Sequence, residues 1–182
     1  MKKVVVLLAD GFEEIEAITP VDYLRRAGID VRVIALNSNP VSSARKLSIL
    51  CDSTFDEEDF SVLPDMLILP GGMPGASHLG ESPKLRDLAC RMADAGMALA
   101  AICAAPALTL AAWGLVDGCR WTCYPGMEDG LPGSHQQDRV VRDRTIITAR
   151  AAGTAEEFAL ELVDYLAGSA AADRIRSAIL AR

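Results

Sequence analysis

Ala98-Leu99-Ala100-Ala101-Ile102-Cys103-Ala104-Ala105-Pro106-Ala107 is the stretch on which the reading of this chain turns. A continuously apolar run of strand length stops at a cysteine, small residues follow, and residues 105–113 then read as a helix closed by Gly114. A strand, one nucleophile-type residue, small neighbours and a helix are the parts of a nucleophile elbow, a strained turn with no room for larger side chains. There the Cys103 thiol would face the positive end of the following helix, which favours the thiolate. A free cysteine is also a common inert core residue. Its place at a strand end, opposite a Gly-Gly loop, argues for reactivity.

Outward from this turn, residues 3–8, 31–35 and 66–69 are further short apolar runs suited to strands buried on both faces. Helices are expected over 14–27 and 83–95, closed by Gly28 and Gly96, and Ser82-Pro83 supplies an N-cap and a first-position proline. Thr154-Ala155-Glu156-Glu157 has the capping-box pattern and opens a helix that stops near Gly168; residues 170–180 read as a last helix. Residues 41–51 and 140–149 look like hairpins, the second turning at Arg142-Asp143-Arg144. Strand–helix alternation with short connections means an α/β fold: a mostly parallel sheet with helices on both faces. Without repeats or a long linker, residues 1–182 read as one domain.

Composition narrows the function. The net charge is −7 and basic residues are scattered in pairs at most, so a direct nucleic-acid partner is not expected. No run approaches the roughly 20 apolar residues of a membrane span. The basic-then-apolar start is followed at once by Asp10, Glu13, Glu14 and Glu16, so it reads as a first core strand rather than a signal peptide, and a cytoplasmic location is expected. Five cysteines, an odd number, argue against a disulfide framework. Cys51 and Cys90 read as packing residues. Cys119 and Cys123 bracket a strand, but no histidine or second pair completes a metal-binding set in the sequence, and no metal is expected. His78 and His135 read as solvated loop residues.

Ligands of open parallel sheets bind beyond the strands' carboxyl ends, here after Leu8, Leu69 and Ile102. After Leu8, helix-dipole complementarity accounts for Glu13 and Glu14. Glu16 stands apart: Ile15 and Ile18 flank it, and Pro20, four residues on, cannot bond its carbonyl, so a local irregularity is expected. After Leu69 comes Pro70-Gly71-Gly72-Met73-Pro74-Gly75, neither a P-loop nor a dinucleotide fingerprint. It reads equally as a tight turn or as backbone that approaches a ligand.

Taken in order, Gly11-Phe12-Glu13-Glu14-Ile15-Glu16, Pro20-Val21-Asp22, Arg25-Arg26-Ala27-Gly28, Leu69-Pro70-Gly71-Gly72, Ala100-Ala101-Ile102-Cys103-Ala104-Ala105-Pro106 and Gly153-Thr154 resemble the ThiJ/PfpI superfamily, in the branch of the parkinsonism-associated deglycase and its bacterial relatives. The resemblance runs from about residue 3 to 166. It implies a flavodoxin-like three-layer sandwich, a homodimer, and no metal or organic cofactor. It also implies that Cys103 is the nucleophile, that a protonated Glu16 carboxyl hydrogen-bonds its thiolate, and that the Gly72 and Ala104 amides form an oxyanion hole. Gly71 belongs to the same loop, and Arg45 matches an arginine near the site. The implied activity is that of a glutathione-independent glyoxalase or a deglycase of early glycation adducts; the rival is a redox sensor or chaperone that oxidises the same cysteine without turnover.

Three departures from the family pattern matter. Tyr124 stands where the branch often has a histidine. Ala104 follows the nucleophile where the protease-like branch has histidine, which disfavours proteolysis and glutamine amidotransfer. Ala151-Ala152-Gly153-Thr154 replaces Gly-Pro-Gly-Thr, so substrate shape is expected to differ.

Overall fold

Alternate residues along each buried strand feed two separate cores, one on each side of a single sheet. The computed structural model describes residues 1–181. In chain order its elements are β1 (Lys3–Leu8), α1 (Glu14–Arg26), β2 (Asp30–Ala35), β3 (Val41–Ser42), β4 (Ser48–Ile49), β5 (Ser53–Thr54), β6 (Met66–Leu69), α2 (Gly75–Gly80), α3 (Pro83–Asp94) and β7 (Ala98–Ile102). There follow β8 (Arg120–Trp121), β9 (Ser134–His135), β10 (Val140–Asp143), β11 (Ile146–Ala149), α4 (Ala155–Ala167) and α5 (Ser169–Ala178).

The main sheet has the order β10-β11-β7-β6-β1-β2-β5, and only β10 runs antiparallel to its neighbour. Counting β1, β2, β6, β7 and β11 as the first to fifth parallel strands gives the order 2-1-3-4-5, the flavodoxin-like arrangement. Val4, Val6 and Leu8 point to one face, where Ala17 and Leu24 of α1 and Phe158 and Leu162 of α4 cover them. Val5 and Leu7 point to the other, against Leu79 of α2 and Leu88 and Met92 of α3. Full burial of a side chain such as Phe158 contributes about 1.5–3 kcal/mol, and the sheet is closed over on both faces.

Several local expectations change in the folded chain. The Pro74-led segment forms the short helix α2, so His78 lies on a helix with its Nδ1 3.1 Å from the Asp10 carbonyl oxygen. The helix after Cys103 widens to π geometry over Ala107–Ala111, with the Ala112 amide donating to Ala107 O at 3.2 Å. At this wide turn the Leu108 carbonyl lies against Gly80, where a Cβ would come within 2.2 Å of it; only glycine fits. α1 runs without a break through buried Pro20, although proline has no amide to bond the Glu16 carbonyl. Thr154 does not cap α4 with its side chain. Its hydroxyl donates instead to Ala151 O at 2.7 Å, closing a 3-10 turn, while Glu157 pairs with Arg139. The 41–51 hairpin is reduced to two-residue strands, and β5 adds an edge to β2 that no periodicity announced.

Candidate functional site

The order of the parallel strands reverses between β1 and β6, and the site lies just beyond the carboxyl ends of these strands and β7. Each strand delivers one part. β7 leads directly into Cys103, whose φ of +65° is left-handed for a residue with a Cβ. Such a conformation costs of order 1–3 kcal/mol and persists only where its surroundings enforce it. Here both backbone groups are held: the Cys103 amide donates to Ala149 O at 2.9 Å, and the Tyr124 amide donates to Cys103 O at 2.7 Å.

β1 leads into α1, whose first turn carries Glu16 inward, 1% exposed. The Gly71 amide, just past β6, donates to Glu16 Oε2 at 2.9 Å. The carboxyl and the Cys103 thiol are within hydrogen-bonding reach of each other, and the amides of Gly72 and Ala104 are directed at the sulfur. The paired glycines are sterically required. A Cβ on Gly71 would lie 2.5 Å from Glu16 Oε2 and 2.7 Å from Cys103 Cβ, and one on Gly72, at φ +87°, would lie 2.3 Å from the Glu13 amide.

Burial raises the Glu16 carboxyl to about 7; the bonds from Cys103 and Gly71 pull it back, and the Glu13 charge adds to the rise. The thiol does not follow the sequence expectation of a depressed pKa. Burial first, then the negative charge and hydrogen bond of Glu16, push Cys103 up to about 12 against the pull of the Ala104 and Gly72 amides. Two of these upward contributions belong to the Glu16 carboxylate and vanish when that carboxyl holds the proton. The two groups therefore titrate as a pair.

A cleft of about 390 Å³ opens onto the sulfur, lined by Glu13, Glu16, Arg45, Gly72, Met73 and Tyr124 and closed on one side by residues 151–153. The substituted Ala151-Ala152 pair thus borders the cleft. Arg45 is exposed on the β3–β4 turn, and Tyr124 is half exposed. A role for Glu14 was not evident from the sequence: its carboxylate takes the Ser43 hydroxyl and, at 2.8 Å, the Arg45 amide, pinning the arginine's turn to α1. A carboxylate in a first helical turn looks the same in sequence whether it complements its own helix or clamps a loop.

The other cysteines lie elsewhere, with one surprise. His135, expected in a solvated loop, is on β9, its side chain 18% exposed and its ring edge-on to Trp121 at 5.4 Å. It does complete a set with Cys123: the thiol, a Glu128 oxygen and a His135 ring nitrogen all lie within 4.8 Å of one another.

The DJ-1/PfpI family profile matches residues 2–165. The Parkinson disease protein 7 homolog of Danio rerio is 37% identical over 184 residues, covering 98% of this chain and 97% of the relative. The glutathione-independent glyoxalase DJR-1.2 of Caenorhabditis elegans is 35% identical over 167 residues, 90% of this chain and 88% of its own. Among solved structures, Drosophila melanogaster DJ-1beta superposes with a TM-score of 0.94 at 39% identity, covering 100% of this chain and 98% of the other. A DJ-1 superfamily protein of Salmonella typhimurium gives 0.95 at 36% identity over the whole of both chains. The strand order, the elbow and these matches agree: this chain belongs to the DJ-1/PfpI family.

Proposed function

We propose that the chain is a cofactor-free cysteine enzyme that converts reactive aldehydes such as methylglyoxal, free or as early glycation adducts, to hydroxy acids. The observation that carries this reading is one constellation: Cys103 at an open cleft, a buried carboxyl that retains a proton near neutrality, and two amides directed at the sulfur. Glu16 protonated beside a Cys103 thiolate is the working state. The thiolate adds to the aldehyde carbon and Glu16 gives its proton to the resulting oxyanion, forming a hemithioacetal. The Gly72 and Ala104 amides stabilise the developing negative charge. Glu16 then takes the proton from the first carbon and returns one to the second, leaving a thioester. Water cleaves the thioester to lactate and the free thiol, so the net change is addition of one water. Arg45 and Tyr124, at the cleft mouth, contact the substrate's remaining oxygen.

The relative from Caenorhabditis elegans, a glutathione-independent glyoxalase by name, supports the substrate class. A homodimer belongs to the same reading: Ile15 and Ile18 on α1 and Leu47 and Leu50 on the adjoining hairpin form exposed apolar surface. So does a cytoplasmic setting, with five free cysteines. The rival reading, a redox sensor, rests on the same carboxyl, which would hydrogen-bond a Cys103 sulfinate.

The test is lactate formation from methylglyoxal without glutathione. Turnover by reduced wild type that disappears in Cys103→Ser supports the enzyme. No turnover from folded, reduced wild type overturns it in favour of the sensor, and peroxide oxidation at Cys103 becomes the measurement.

A further inference from the structure

The loop that leaves β8 carries a second chemically distinct cluster that the proposed reaction does not use. Cys123 is fully buried, Glu128 follows five residues later, and His135 arrives on β9, whose pairing with β8 sets His135 opposite Trp121. The backbone on both sides is fixed: the Thr122 amide donates to Thr148 Oγ1 at 2.9 Å and the Gln136 amide to Trp121 O at 2.7 Å. The three side chains converge without satisfying one another. Glu128 Oε1 lies 4.0 Å from His135 Nδ1, too far for a hydrogen bond, and His135 Nε2 is buried with no partner. Glu128 Oε2 is separately held by the Gly126 amide at 2.7 Å, which fixes the carboxylate's orientation.

We propose that Cys123, Glu128 and His135 form a binding site for a divalent transition-metal ion of the zinc type, outside the Cys103 cleft. A thiolate, a carboxylate and an imidazole are the donor types zinc takes, and a water completes four-coordination. Bond lengths of about 2.0–2.3 Å place tetrahedral ligand atoms roughly 3.3–3.6 Å apart. The observed spread, within 4.8 Å, is wider than that, so the three ligand atoms must draw together on binding. On binding, Cys123 loses its proton to solvent, and the ion's two positive charges balance thiolate and carboxylate. The ion would tie the loop after β8 to β9. That loop carries Tyr124, whose amide holds the Cys103 carbonyl.

The experiment is titration of the full chain with Zn²⁺ by calorimetry and with Co²⁺ by absorption, in wild type and in Cys103→Ala. Both proteins are expected to bind one equivalent and to show a sulfur-to-cobalt charge-transfer band. Cys123→Ser should remove that band. Cys123→Ser and His135→Gln should weaken Zn²⁺ by more than the roughly 10–100-fold that loss of an outer-shell partner costs. Glu128→Gln, the most exposed of the three, supplies the same comparison with least risk to folding. Binding that is absent in wild type, that disappears in Cys103→Ala, or that survives all three ligand substitutions overturns the site.

Discussion

Cys103 and Cys123 are joined through the Tyr124 backbone and are both pushed up to about 12, in each case by burial first. Each also has a carboxyl nearby that adds to the rise. The two carboxyls differ. Glu128 is held below the usual carboxylate range by its own backbone amide and that of Gly126, against its burial, so it stays ionised and opposes a thiolate. Glu16, buried and raised to about 7, can hold the proton itself. The comparison teaches that a perturbed thiol is not a marker of reactivity. What separates the two cysteines is a neighbour able to carry the proton, together with amides and an open cleft at the sulfur.

The largest effect is expected where that difference is erased. Glu16→Gln should lower turnover of methylglyoxal by roughly 10²–10⁴-fold, the range for loss of a general acid–base, whereas Glu128→Gln should leave it at the wild-type level. Stability should move the other way. The folded Glu16 keeps its proton up to about 7, while the unfolded carboxyl ionises above its model value of 4.5. Wild-type stability therefore falls as pH rises through that window and levels off above it, by about 3 kcal/mol in all. Urea unfolding at pH 4.5 and 8 measures this. Glu16→Gln should abolish the slope and be the more stable protein at pH 8. An unchanged slope would mean that another group holds the proton, and the contrast between the two cysteines would lose its basis.

A smaller effect tests how tightly the pair is enclosed. Gly71→Ala puts a methyl group against both Glu16 and Cys103, whereas a Cβ on Gly153, at the cleft's edge, meets nothing within 4 Å. Overpacking of this kind costs about 1–3 kcal/mol. Thermal melting should therefore show a lower Tm and weakened turnover for Gly71→Ala, with Gly153→Ala close to wild type in both. Equal melting of the two would mean that the glycine pair is an ordinary turn.

How much of this was legible in the sequence depended on how local the signal was. The run into Cys103, the glycine after α1 at φ +76° and the Ser82 cap on Leu85 each declare themselves within a few residues. So does the alternation of strand and helix, which gave the sheet and its two covered faces. Convergence across the chain was not legible. His135 meets Cys123 because two short strands pair in parallel, and two residues carry no periodicity. The Glu14 clamp and the α2 helix, six residues with a glycine at each end, were hidden for the same reason. The rise of the Cys103 thiol was missed because the helix end was visible in sequence while the depth of burial was not.

The least effect is expected at Tyr124, the residue in place of the family histidine. Its essential contact is made by the main chain, the 2.7 Å bond from its amide to Cys103 O, which any residue but proline can supply. The ring is half exposed and lines the cleft, whereas Glu16 is buried beside the sulfur. Tyr124→Phe should then raise KM by the equivalent of about 0.5–1.5 kcal/mol, one ordinary hydrogen bond, and leave kcat unchanged. Such a split identifies an interaction made equally in the ground and transition states. A fall in kcat comparable to that of Glu16→Gln would instead make the phenol a proton carrier. The cysteine would then have two proton partners, and the distinction drawn between Cys103 and Cys123 would rest on the cleft rather than on Glu16 alone.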